Sequence, residues 1–164
     1  MGEVNSNSSM AFNSPYELGV RMVYLLNSMF PHAASLQKLL LLDYAVIYSK
    51  DFGGPESLHT PVPYRNSELY VRYDSVKTGI YLMSTKKLID INLGEQGVTY
   101  FAGENARVLI DSIDSDYLNS LSERCDWVTR KFGKFDTVEL AEKFNDLGHR
   151  WSAEIDVNGL VGEG

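Results

Sequence analysis

Apolar residues recur along this chain with two periods, and the switch between them marks its most informative segment. Leu18, Met22, Leu25, Leu26 and Met29 fall at helical spacing. Ser14 ahead of them is a good N-cap, Pro15 suits the first helical position and Glu17 completes a capping box, so a helix is expected up to Pro31. Ser35 is placed to cap a second helix with Leu36, Leu39, Leu40, Tyr44 and Ile47 as its stripe. Leu41, Leu42 and Val46 make that helix apolar nearly all round, the pattern of a central helix, and Asp43 interrupts its main stripe. Helical spacing returns from Asp74 through Ile80 to Met83. It then gives way to a strand at 88–93, a turn at Gly94-Glu95-Gln96-Gly97 and a returning strand at 98–102.

Two helices, a third, and a two-stranded wing are the outline of a winged helix. Beyond the wing, residues 104–113 read as a short helix. Asp114 is the expected cap of a longer one with Leu118, Leu121, Cys125, Val128 and Phe132 on one face and Gly133 at its C-terminal end. Asp136 and Glu139 form a second capping box ahead of Leu140, Phe144, Leu147 and Trp151. The expected fold is α+β, mainly α: a winged helix-turn-helix with additional C-terminal helices. The expected divisions are a disordered tail at 1–12, a winged-helix domain at 13–103, a helical extension at 104–152 and a flexible acidic tail at 153–164. Residues 68–72 alternate and are read as a short strand, although Leu69, Val76 and Met83 are seven apart and would also suit the first turns of the following helix. The loop at 50–66 is long for a compact domain, which favours a functional role.

Composition narrows the function. The chain has 164 residues and one cysteine, so an internal disulfide is excluded. No apolar run is long enough for a membrane span, and the N-terminus lacks the basic and apolar regions of a secretory signal. A cytoplasmic protein is expected, with no membrane partner. The net charge of −7 is not a nucleic-acid footprint. From Asp74 to Lys87 three lysines face one aspartate, but the wing adds Asp90 and Glu95 without a base, so the would-be reading surface carries no net charge. DNA readout needs Lys or Arg there. Ten tyrosines and a neutral wing suit protein partners better.

Chemistry-bearing clusters are sparse. His32, His59 and His149 are far apart and lack cysteine pairs, so no metal is expected. Cys125 lies on an apolar stripe, where a free cysteine acts as a small hydrophobe. Gly53-Gly54-Pro55 lacks the lysine and hydroxyl of a phosphate loop. Asp111, Asp114 and Asp116 sit where a helix starts, a place that favours acids anyway. Asp43 is read as structural, accepting hydrogen bonds from loop amides around Ser57 to His59. No catalytic residue, cofactor or small-molecule ligand is expected.

The run Leu39-Leu40-Leu41-Leu42-Asp43-Tyr44, the segment Gly53-Gly54-Pro55-Glu56-Ser57-Leu58-His59 with Pro61, and Arg65-Asn66-Ser67-Glu68-Leu69-Tyr70-Val71-Arg72 together resemble the middle component of ABC three-component systems, the Lamassu-type bacterial defence operons. Tyr117-Leu118, Leu121-Ser122-Glu123-Arg124, Trp127-Val128 and Phe132-Gly133 fit the same family. The resemblance implies a non-catalytic adaptor between an SMC/Rad50-like ATPase and an effector, often a nuclease, in a complex that answers foreign DNA from phage or plasmids. DNA would then be met through the complex. Gly54, Pro55, Ser57, Leu58, His59, Arg65 and Tyr100 are the expected partner contacts, because loops on a rigid scaffold commonly carry binding. A dimeric winged-helix transcriptional regulator is the alternative, and a nuclease built on acidic residues a more distant one.

Overall fold

The computed structural model describes residues 14–59, 68–95 and 97–146. The expectations for both tails, for Arg65, and for Leu147 and Trp151 lie outside the described residues. Six α-helices and one two-stranded antiparallel sheet make up the described part. They are α1 (Pro15–Met29), α2 (Leu36–Ile47), α3 (Glu68–Thr85), β1 (Ile89–Gly94), β2 (Gly97–Ala102), α4 (Ala106–Ser112), α5 (Asp116–Phe132) and α6 (Thr137–Asp146), with a 3-10 turn at Ser49–Phe52 after α2. The fold is mainly helical, as expected.

Local chemistry sets the helix ends. Ser14 Oγ accepts from the Glu17 amide at 3.2 Å and Ser35 Oγ from the Lys38 amide at 3.2 Å, each satisfying one of the donors a helix start leaves open. Asp136 does the same for the Glu139 amide at 2.8 Å. The cap of α5 differs from expectation. Ser115 Oγ, not Asp114, accepts from the Leu118 amide at 3.1 Å, while Asp114 accepts from the Asn119 side chain at 2.9 Å.

The strand expected at 68–72 is the first part of α3 instead. A helix puts Arg72, Val76, Ile80 and Met83 on one buried face, whereas a strand would point Arg72 and its neighbours to alternate sides. Five residues are too few to separate the two periods.

α2 is the central helix. It packs against α1, α3, α5 and α6, and ten of its twelve residues are buried. α1 lies along α3 and also meets α5 and β2. The α1–α3 crossing is close because it runs through Gly19 and Gly79. A Cβ on Gly79 would come within 2.7 Å of the Gly19 amide nitrogen and would overlap the Pro15 carbonyl. Leu121, Cys125, Val128 and Phe132 of α5 and Leu140 and Phe144 of α6 enter the same cluster as Leu18, Leu39 and Val76. Phe52, Phe132 and Phe144 meet edge-on or tilted at its lower end, with centroids 4.5–6.0 Å apart.

The β1–β2 hairpin, where the sequence predicts a wing, pairs Ile89 with Ala102, Ile91 with Tyr100 and Leu93 with Val98. Those six side chains share one face, since successive residues of a strand point to opposite sides. At its root β2 is held by Ala34, which exchanges two backbone hydrogen bonds with Tyr100, at 2.8 and 2.9 Å.

Candidate functional site

Burying an aspartate in the central helix requires compensation, and two other helices supply it. Arg21 of α1 binds Asp43 with two contacts, Nε to Oδ1 at 2.9 Å and Nη2 to Oδ2 at 3.0 Å. Arg72 of α3 adds Nη1 to Oδ2 at 3.3 Å. All three residues are at most 4% exposed. Desolvation alone would raise the Asp43 pKa. The Arg21 charge and hydrogen bonds, with Arg72, outweigh it and hold the carboxylate below its usual range. Asp43 thus joins α1, α2 and α3. The expected donors around Ser57–His59 are not its partners: the His59 amide donates to the Ile47 carbonyl at 3.2 Å.

His59 closes the cluster from the loop side. Its Nε2 lies 3.2 Å from the Tyr117 hydroxyl at the start of α5, with the two rings roughly parallel. Burial, reinforced by the nearby Arg21 and Arg72 charges, lowers its pKa to about 4. The imidazole is therefore neutral at physiological pH. Burial likewise raises the Tyr117 hydroxyl pKa. Cys125 is wholly buried and its thiol is pushed far up, first by desolvation and then by the Asp43 and Asp126 charges, which keeps it protonated and unreactive.

The segment Gly53–His59 is fastened at nearly every residue. Gly53 has φ +78°, a conformation that favours glycine. Gly54 lies so close to Trp127 that a Cβ there would fall 2.5 Å from the indole. Ser49 Oγ donates to the Pro55 carbonyl at 2.8 Å, and the Ser57 hydroxyl accepts from the Lys50 amide at 3.2 Å. Arg124 donates twice to the Glu56 carbonyl, at 3.0 and 2.9 Å, and Lys131 donates to the Phe52 carbonyl at 2.7 Å. Leu58 packs on the core. Pro55 and Glu56 stay exposed. Of the residues expected to contact partners, Gly54, Pro55, Ser57, Leu58 and His59 thus come together along α5. Tyr100 is elsewhere, 7% exposed at the wing root. Sequence reasoning missed Arg21 and Arg72. Arg21, three residues after Leu18 and four before Leu25 on the apolar stripe of α1, was the available signal.

A cavity of about 480 Å³ opens between Met29, His32, Ala33 and Lys38 on one side and Thr129, Gly133 and Lys134 on the other. Lys38 Nζ crosses it to donate to the Gly133 carbonyl at 2.6 Å, where α5 ends with orphaned carbonyls. Among the described residues no group of three or more His, Cys, Asp or Glu could hold a metal ion. No described helix is long and apolar enough to cross a membrane.

Residues 11–154 match the family described as ABC-three component (ABC-3C) system Middle Component 2. The chain belongs to that family. As a Middle Component 2 protein it is one part of a multi-component system, which implies protein partners. No curated protein and no solved structure matches it.

Proposed function

We propose that this Middle Component 2 chain is a non-catalytic adaptor in a bacterial defence complex against phage or plasmid DNA, linking an SMC/Rad50-like ATPase to an effector such as a nuclease. The observation that carries this reading is the surface of α3 and the wing. It exposes Tyr81, Leu82, Ile91, Leu93 and Val98, while residues 88–103 contain no lysine or arginine. The wing's apolar surface, with Asp90 and Glu95 and no base, suits a protein partner and gives a phosphate backbone nothing to bind. The buried ions support the reading from the other side. Asp43, Arg21 and Arg72 are engaged with one another, and neutral His59 faces Tyr117, so the most polar spot in the fold is committed to holding helices together. Partner contacts fall on the loop around Pro55 and on the α3–wing surface.

The order of helix and wing, with Lys77, Lys86 and Lys87 exposed near it, favours one other reading, a winged-helix DNA-binding regulator. Co-expression of the tagged chain with its operon neighbours, read by native mass spectrometry, separates the two. The adaptor reading expects a defined complex with a large ATPase. A lone chain that shifts DNA with a steep salt dependence would replace it with the regulator.

A further inference from the structure

The cavity beside the ends of α1 and α5 has a chemistry that the adaptor reading does not use. Its walls come from three places: the end of α1 with the turn after it, the start of α2 and the end of α5. At about 480 Å³ it falls within the range of small-molecule sites, roughly 300–1,000 Å³. Met29, Ala33 and Gly133 give it apolar surface. Thr129 adds carbon rather than a polar group, because its hydroxyl is buried away from solvent. The ionisable side chains in the walls are Lys38, Lys134 and His32, and none is an acid. Lys38 is the telling one. Its ammonium is half-buried and hydrogen-bonded to the Gly133 carbonyl at 2.6 Å, which leaves two of its three protons for another acceptor. It feels the charges of Asp136 and Glu139 but forms an ion pair with neither. Burial accordingly lowers its pKa, and the two acids offset that only in part. A cation taken out of water is ordinarily paired.

We propose that this cavity binds a small amphiphilic monocarboxylate, its apolar body against Met29 and Ala33 and its carboxylate accepting hydrogen bonds from Lys38 and Lys134. The walls set each part of that description. The volume limits the ligand to a small molecule, and the carbon lining asks for an apolar body. The two ammoniums ask for an anion. Asp136 and Glu139, close enough for Lys38 to feel, favour one negative charge over the nearly two of a phosphate monoester. Lysine ammoniums are point charges without the planar fork of arginine, so a single carboxylate between them is a sufficient match. Bound there, the ligand would tie the turn after α1 to the end of α5, a link that Lys38 and the Gly133 carbonyl now make. The sequence predicts no small-molecule ligand, because the lining residues lie at 29–38 and 129–134 and form no motif. This inference does not depend on the adaptor reading.

The test is a titration of the full chain, labelled with nitrogen-15, with octanoate, read by amide chemical shifts. Saturable shifts centred on residues 29–38 and 129–134 are expected, with half-saturation below about 1 mM. Acetate, which lacks the apolar body, and octylammonium, which carries the opposite charge, should each bind at least about tenfold more weakly. Lys38→Met should weaken octanoate about tenfold or more. That lysine also holds the end of α5, so a second variant guards the result: Lys134→Glu, at an exposed position, should weaken octanoate as much while leaving thermal unfolding unchanged. Shifts that never saturate overturn the proposal, as do shifts centred on Tyr81 and Leu93, equal binding of octylammonium, or octanoate binding indifferent to Lys134→Glu. Tighter binding of octyl phosphate than of octanoate would overturn the monocarboxylate. A chain that ignores octanoate, and whose complex with its operon neighbours is lost on Lys134→Glu, would assign the cavity to a protein segment. That too overturns the proposal, and it leaves the adaptor reading in place.

Discussion

Asp43 shows how one residue changes its meaning with its surroundings. On an apolar stripe it looks like an error or an active-site acid, but Arg21 and Arg72 make it a joint between three helices. Removing one partner from such a cluster leaves buried charge uncompensated. Asp43→Ala is therefore expected to cost about 3–5 kcal/mol in urea unfolding. Replacing all three residues with apolar ones of similar volume is expected to cost much less. His59 gives a pH prediction. Its pKa is 6.5 when unexposed to these effects and about 4 in the fold, so the unfolded chain takes up the proton first. Stability should be constant above about pH 6.5 and fall by roughly 3 kcal/mol as pH drops toward 4. His59→Gln should flatten that part of the profile, and a slope unchanged by the substitution would refute the assignment. The Asp43 carboxylate, with its folded pKa lowered, loses its contribution only at more acid pH, as pH falls through that lowered value. The residue types at these sites were legible in the sequence, but their pairing was not. Arg21 and Asp43 are 22 positions apart, and nothing local says that they meet.

At the scale of elements, caps and periodicities carried well because they are local. Ser14, Ser35 and Asp136 all do what their positions foretell. Asp114 and Ser115 are adjacent and both are good caps, and only the backbone path shows that Ser115 takes the role expected of Asp114. Ser115→Ala should therefore lower stability by about 1 kcal/mol, while Asp114→Ala should do little, as thermal unfolding would show. The start of α3 departs from the expected strand for a related reason: its first five residues suit either period, and the deciding contact is Arg72 with Asp43, far away in sequence. The α1–α3 crossing was invisible beforehand, since a glycine in a helix announces no partner. Gly79→Ala adds one methyl where the Pro15 carbonyl and Gly19 already touch, and should destabilise by about 1–3 kcal/mol in the same assay, despite alanine's better helix propensity.

For the whole molecule, the decisive relation is that α2 is covered from all sides. Its near-continuous apolar surface foretold a central position, and the structure shows the cover coming from both halves of the chain. A fragment ending at residue 113 would expose Leu39, Tyr44 and Phe52 where Leu121, Phe132 and Phe144 now lie. It should lose cooperative unfolding by calorimetry and bind hydrophobic dye, whereas two independent units would predict a folded fragment. The loop around Pro55 belongs to the same relation, because it is pinned to α5 rather than left loose. Arg124 grips it through the carbonyl of Glu56, not through the carboxylate, whose own link to Lys50 is exposed. The side chain at 56 is thus not what holds the loop, and replacing it leaves both Arg124 contacts in place. It is also a handle: the chain's single native thiol, Cys125, is sealed in the core, so a cysteine placed at 56 would take a fluorophore selectively and report on whatever docks beside it.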